Sequence, residues 1–260
     1  MNYIIFFVRI SFFLSVAPFS TLLIAQNLGE ITIYNTENSG LSYNQIHSLE
    51  FDQEERLWIG TEDGLSIFSP NLDNWTVFTE DTVFSTLKSS IIKSLHYKNE
   101  NTMFIGTSNG LNNVSWENSI TNTYDFWINQ SWSYNETEES DTLCDIAEGI
   151  VNSILHYDNL WIGTNDGLCV ENYGLDNGWL IHNSETSFYS SNITCIKKNI
   201  NTDLIAIGTV NGGLILYDGD WNIYHSSNSP ILDNTIRDIT FDQNNNIIIC
   251  TPQAGIGVLT

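Results

Sequence analysis

Five residues able to hold a ligand occupy one recurring place in this chain: His47, Lys93, Asn152, Thr194 and Arg237. Each stands one residue after the Ile or Val that leads a short apolar run. Histidine, lysine and arginine offer hydrogen-bond donors and positive charge, and cations are scarce here. The 260 residues include 8 Lys plus Arg against 31 Asp plus Glu, a formal charge of −23. Cations gathered at one recurring place inside an acidic shell would attract a small anionic ligand. The next position is small (Ser48, Ser94, Ser153, Cys195) or Asp238, which suits a crowded axis. The rival reading is a set of polar residues that bond one another and water with no ligand.

Other chemistry is sparser. The histidines at 47, 96, 156, 182 and 225 show no metal-ligand spacing. No serine stands in a nucleophile-elbow setting. Carboxylates are too many to single out a glycosidase pair. The expectation is a non-enzymatic protein with no metal or cofactor. Asp52 to Arg56 and Asp242 to Asn246 loosely resemble oxygen-rich calcium loops, but both stand where a hairpin turn belongs. The four cysteines are spaced 25, 26 and 55 residues apart, which fits no zinc or redox motif. Cys169, Cys195 and Cys250 lie in apolar runs and read as small buried hydrophobes. Cys144, in an acidic stretch, stays open. Trp127 and Trp132 flank Ile128-Asn-Gln-Ser131 just before that stretch, and one of them could stack on a sugar ring.

The elements that position the five residues form a repeat. Leu57-Trp-Ile-Gly-Thr61, Met103-Phe-Ile-Gly-Thr107, Leu160-Trp-Ile-Gly-Thr164 and Ile205-Ala-Ile-Gly-Thr209 read alike, and Ile247-Ile-Ile-Cys-Thr251 keeps only the threonine. From Ile59 through Ile105, Ile162 and Ile207 to Ile249 the steps are 46, 57, 45 and 42 residues. The long step holds an acidic insert near 133–148. Each unit reads as four short strands. The ligand-bearing run comes first and the Ile-Gly-Thr run second. A turn such as Asp63-Gly64 or Asn109-Gly110 follows, taken as a two-residue hairpin with positive φ. The third strand begins at Leu65, Leu111, Leu168 and Leu214. The fourth is led by Trp75, Trp179 or Trp221, with Trp127 or Trp132 in the second unit. Four strands per unit and a period in the forties predict an all-β, five-bladed β-propeller over residues 26–260. The fifth unit has only three strands, and Ile31-Thr-Ile-Tyr34 resembles Trp221-Asn-Ile-Tyr224. The last blade is therefore expected to be closed by the N-terminal strand.

Composition narrows function. Hydrophobic residues are 42% with 8 Trp, 11 Tyr and 13 Phe, too many for a disordered chain. The negative charge excludes nucleic-acid partners and anionic lipid surfaces. Residues 1–25 are almost wholly apolar with a small residue at Ala25, which predicts an export signal and a periplasmic or secreted location. An uncleaved anchor is the alternative. No second apolar run of membrane length follows, so no insertion is expected once the signal is removed.

The string Asn38-Ser-Gly-Leu41, a strand, Phe51-Asp52, Leu57-Trp-Ile-Gly-Thr61 and Asp63-Gly-Leu65 resembles the two-component regulator propeller repeat. That family builds extracytoplasmic sensor domains of bacterial two-component regulators and also occurs in secreted proteins. The resemblance implies a ligand-binding or sensor propeller that takes a small molecule, plausibly an oligosaccharide, and works with a separate membrane sensor protein. A protein-interaction or surface scaffold is the alternative, and a polysaccharide-active enzyme has less support.

Overall fold

The computed structural model describes residues 31–79, 87–99, 102–118, 124–131, 144, 149–171, 178–186 and 188–260. The expected leader over 1–25, Trp132 and all of the acidic insert but Cys144 lie outside these residues. Among the described residues every regular element is a strand, and the strands form five antiparallel sheets. Sheet 1 holds β1 (Ile46–Phe51), β2 (Leu57–Thr61), β3 (Gly64–Ser69) and β4 (Asn74–Phe78). Sheet 2 holds β5 (Ile92–Asn99), β6 (Thr102–Thr107), β7 (Gly110–Asn118) and β8 (Tyr124–Ser131). Sheet 3 holds β9 (Val151–His156), β10 (Leu160–Thr164), β11 (Leu168–Glu171) and β12 (Trp179–His182). Sheet 4 holds β13 (Ile193–Lys198), β14 (Ile205–Thr209), β15 (Leu214–Tyr217) and β16 (Trp221–Tyr224). Sheet 5 holds β17 (Asp238–Phe241), β18 (Ile247–Thr251) and β19 (Gly255–Leu259). Each sheet is a meander in chain order. In sheet 2 it is Trp127, opposite Ser115, that lies in the fourth strand.

The Ile-Gly-Thr motif has a mechanical explanation. β2, β10 and β14 are buried along their whole length. Their glycines lie under the residue that leads the next sheet. A Cβ on Gly60 would come within 2.7 Å of Ile92 Cγ2, and one on Gly163 within 2.6 Å of Ile193 Cγ2. The threonine closes the following turn. Thr61 Oγ1 donates to Gly64 O at 2.8 Å and accepts from Asp63 N at 3.0 Å, and Thr107 and Thr164 repeat both bonds. The turn differs from the expected form. Gly64 and Gly110 carry φ of 110° and 109°, but Asp63 and Asn109 do not have positive φ. The ladders run unbroken to Thr61↔Gly64 and Thr107↔Gly110, so each loop holds two residues and only the glycine that opens the third strand carries the left-handed φ.

The turn between β1 and β2 is closed by Asp52. Its carboxylate accepts from Glu54 N, Arg56 N, Arg56 Nε and Trp58 Nε1 at 2.6–3.1 Å. Asp242 likewise accepts from Asn244 N, Asn246 N and Asn246 Nδ2, each at 2.8 Å. Both carboxylates are spent on their own hairpins.

The sheets stack side by side through apolar layers. Trp58, Leu65 and Ile67 of sheet 1 pack with Ile92, Leu95 and Ile105 of sheet 2. Phe104 and Leu111 pack with Val151, Ile154 and Ile162. Trp161 and Leu168 pack with Ile193, Ile196 and Ile207, and Ala206 and Leu214 with Ile236, Ile239 and Ile249. Each fully buried aliphatic side chain contributes about 1.5–3 kcal/mol. The turn after each second strand also bonds the loop entering the next sheet: Gly64 N to Ser90 O, Gly110 N to Gly149 O and Gly213 N to Asn234 O, at 2.7–2.8 Å. In sheet 3, Cys169 forms a disulfide with Cys144, Cα–Cα 6.2 Å. This corrects the reading of Cys169 as a free buried hydrophobe. Cys195 and Cys250 are free.

The expected closure of the last blade is not seen. Residues 31–35 are not a strand, and among the described strands β19 is hydrogen-bonded to β18 alone. Tyr34 rests instead on Phe68 and Trp75 of sheet 1, at centroid distances of 5.5 and 5.6 Å. The strand match between Ile31–Tyr34 and Trp221–Tyr224 records an outer-strand sequence without saying which sheet receives it. The five sheets form an open series.

Candidate functional site

The first strands β1, β5, β9, β13 and β17 neighbour one another in that order. In four of them the ladder skips one residue. β1 skips between Ile46 and Ser48, and β5 between Ile92 and Ser94. β13 skips between Ile193 and Cys195, and in β9 Val151 and Ser153 pair with adjacent residues of β10. The bulged residues are therefore His47, Lys93, Asn152 and Thr194. A bulge re-aims a side chain without moving the strand. Arg237 stands at the corresponding place before β17, its N–H on Cys250 O at 2.8 Å.

All five sequence-predicted residues line one cavity of about 780 Å³ that runs along the first strands. They are not equivalent within it. Asn152 Nδ2 donates to Ile193 O at 2.9 Å, and Thr194 Oγ1 to Ile236 O at 2.5 Å. These two tie one sheet to the next, as does Ser94 Oγ on Val151 O at 3.0 Å. His47 bonds the Glu62 carboxylate. Lys93 Nζ lies 3.2 Å from His47 Nε2 and 3.5 Å from Glu62 Oε2. The bond from His47, joined by the Lys93 charge, holds the Glu62 carboxyl below the usual range. The exposed Arg237 guanidinium makes no ion pair among the described residues.

Three further residues on the cavity wall escaped the sequence reading. Glu50, His96 and Lys197 each lie three residues beyond a bulge. Burial pushes the Glu50 carboxyl up to about 7, against the opposing pull of Lys197 and a bond from the Tyr97 backbone. Burial pushes His96 down, and its Nε2 lies 3.0 Å from the donating His156 N–H. Lys197 is exposed and makes no ion pair among the described residues. Lys198 also lines the cavity but is committed, 3.0 Å from Asp203 Oδ1 and 4.0 Å from the Tyr157 ring centroid. Their recurrence at one strand offset was the available signal.

The remaining tryptophans serve packing. Trp58, Trp116 and Trp161 are buried, and Trp221 packs on Tyr217 with centroids 4.5 Å apart. The side chain of Trp127, like Trp132, lies outside what the structure describes.

Residues 40–63 match the two component regulator propeller family. A search of curated proteins finds no match. Among solved structures, the chain is similar to the extracellular domain of BT3049 from B. thetaiotaomicron, described as a hybrid two component system. The TM-score is 0.65 at 19% identity, over 88% of this chain and 29% of that one. It is similar to the extracellular domain of BT4673 from the same organism, described as a one component system. There the TM-score is 0.60 at 23% identity, over 88% and 30%. PorZ, a surface component of the type-IX secretion system of Porphyromonas gingivalis, matches with TM-score 0.62 at 13% identity, over 90% and 35%. The chain thus spans about a third of the length of these structures. It carries the two component regulator propeller repeat, on a fold shared with extracellular domains of two-component systems.

Proposed function

We propose that the chain is an extracytoplasmic, non-enzymatic propeller domain of sensor type that binds a small anionic molecule, such as an acidic saccharide, in the cavity along its first strands. One observation carries this reading. Four of the eight Lys and Arg residues of a chain with formal charge −23 line that single cavity: Lys93, Lys197, Lys198 and Arg237. Random placement on an acidic surface would scatter them. Partly dry walls strengthen the attraction of a cation for a carboxylate or sulfate. Glu50 weakens it little, because its raised pKa leaves it largely protonated in mildly acidic solution. The Cys144–Cys169 disulfide supports an oxidising compartment. A separate membrane sensor would read the bound state.

The test is a thermal-shift and calorimetric screen of acidic oligosaccharides against neutral ones of the same length. An acidic ligand that binds the native state raises Tm. The double variant Lys197→Glu/Arg237→Glu should weaken that binding by roughly a hundredfold, at about one order of magnitude per reversed contact. Equal binding of the neutral sugars, or intact affinity in the double variant, would reject the anionic ligand. Turnover of the sugar would reject the non-enzymatic reading.

A further inference from the structure

Two seams between sheets are built alike, but a cation fills one and the other is open. Between sheets 1 and 2, the Arg56 guanidinium lies 4.8 Å from the Trp116 ring centroid, and Trp58 packs on Trp116 with centroids 5.0 Å apart. Two carboxylates complete the nest. Asp52 Oδ2 lies 2.6 Å from Arg56 Nε, and Glu54 Oε2 lies 2.9 Å from Arg56 Nη1. Arg56 is only 2% exposed. The fold thus holds a guanidinium of its own against an indole, with carboxylates on its N–H groups.

Trp161 holds in sheet 3 the repeat position of Trp58. It too packs on rings of the following sheet, with centroids 5.4 Å from Tyr217 and 6.1 Å from Trp221. Tyr217 and Trp221 are cross-strand partners at the β15–β16 turn, so their rings share one face, and both are half-buried. The residue two before the tryptophan is Arg56 in sheet 1 but Asn159 in sheet 3. The β1–β2 loop runs over residues 52–56, whereas the β9–β10 loop is the shorter 157–159. That loop brings no cation, and no Lys or Arg occurs from residue 99 to residue 196. What remains is a cavity of about 290 Å³ walled by Tyr157, Trp161, Tyr217 and Trp221. Its charge is negative, with Asp158, Glu171 and Asp203 set against Lys198. Lys198 is committed at one edge, to the Tyr157 ring and Asp203. Lys198 and Tyr157 also border the axial cavity, so they divide the two spaces. Asp158 and Glu171 make no ion pair among the described residues. The Leu160 N–H donates to Glu171 Oε2 at 3.1 Å and holds that carboxylate at the wall. Burial pushes the His182 imidazole down, so this wall residue adds little positive charge at neutral pH.

We propose that this cavity binds a guanidinium group from another molecule, which takes, between the rings of Tyr217 and Trp221 and the carboxylates of Asp158 and Glu171, the place that Arg56 fills in the first seam. The site lies outside the axial cavity and selects the opposite charge, so neither reading depends on the other. An arginine of a peptide and a free guanidino compound present the same group to it.

The experiment is calorimetric titration of the full chain at low ionic strength with Nα-acetyl-arginine amide and with methylguanidine. The expected result is saturable binding. Nα-acetyl-citrulline amide, which carries a neutral urea in place of the guanidinium, should bind roughly tenfold more weakly, having lost the cation–π contact and the charged hydrogen bonds. Nα-acetyl-lysine amide should also bind more weakly, because a compact ammonium neither stacks nor forks. The double variant Asp158→Asn/Glu171→Gln keeps size and hydrogen bonding and removes only charge. It should weaken binding of the arginine probe by roughly tenfold with Tm unchanged, and Trp221→Leu should weaken it by a similar factor. Tighter binding of the arginine amide than of methylguanidine assigns a peptide partner, and equal or weaker binding assigns a free compound. The proposal is overturned if neither guanidino probe binds, if the citrulline or lysine amide binds as tightly as the arginine amide, or if the double variant keeps full affinity.

Discussion

Lys197 and Arg237 reach the cavity with no ion pair among the described residues, whereas Lys93 is shared with His47 and Glu62 and Lys198 is held by Asp203. Ligand-ready charge therefore lies with the first two. Glu50 beside them gives a pH prediction. Its carboxyl is raised from 4.5 to about 7 in the fold, so between those values the native state keeps a proton that the unfolded chain has released. Its contribution to stability is full below about 4.5, falls as pH rises to about 7, and is constant above. Glu50→Gln should raise Tm at pH 8 and leave it unchanged at pH 4, at about 2–4 °C per kcal/mol recovered. Melting curves of both proteins at the two pH values check this. The four bulge residues and Arg237 were legible in the sequence because a repeat exposes any polar position that recurs. Their separate duties were not. Whether Asn152 binds a ligand or the carbonyl of Ile193 depends on how near the next strand stands, and no single strand's sequence records that distance.

At the scale of strands and turns, the glycine of each second strand sets how closely two sheets approach. A Cβ on Gly106 would come within 2.7 Å of both Val151 Cγ1 and Val151 O. Backbone cannot move aside as a side-chain tip can, so Gly106→Ala should destabilise by about 1–3 kcal/mol, the usual range for overpacking, measured by urea unfolding. The disulfide between Cys144 and Cys169 spans 25 residues. Cys144→Ser should cost about 2–4 kcal/mol, and the unreduced wild-type chain, once unfolded, should titrate two free thiols, those of Cys195 and Cys250. Strand order and the places of the turns were readable in advance, because burial and turn chemistry are local. The part of the Thr61 hydroxyl in closing its turn was not, nor that only the glycine of Asp-Gly takes positive φ, since the ladder decides between turn geometries. Nor was the disulfide, because Cys144 lies in an insert outside the repeat.

At the scale of the molecule, the packing among the described residues runs between neighbouring sheets, so protection from solvent should grade along the series. In dilute solution the amides of β19 should exchange with deuterium first and those of β10, covered from both sides, last, as hydrogen-exchange mass spectrometry would show. Four recurrences of one motif revealed the sheet series. They did not reveal whether it closes, because an outer-strand sequence fits any third strand that offers an open edge. The bulge in four of the first strands has a wider consequence. His47 and Lys93 stand outside the ladder's regular pairing and outside the apolar layers, so selection could exchange them while the framework stayed whole. The lining of the cavity could then diverge by edits at a few such places, with lining and architecture inherited separately.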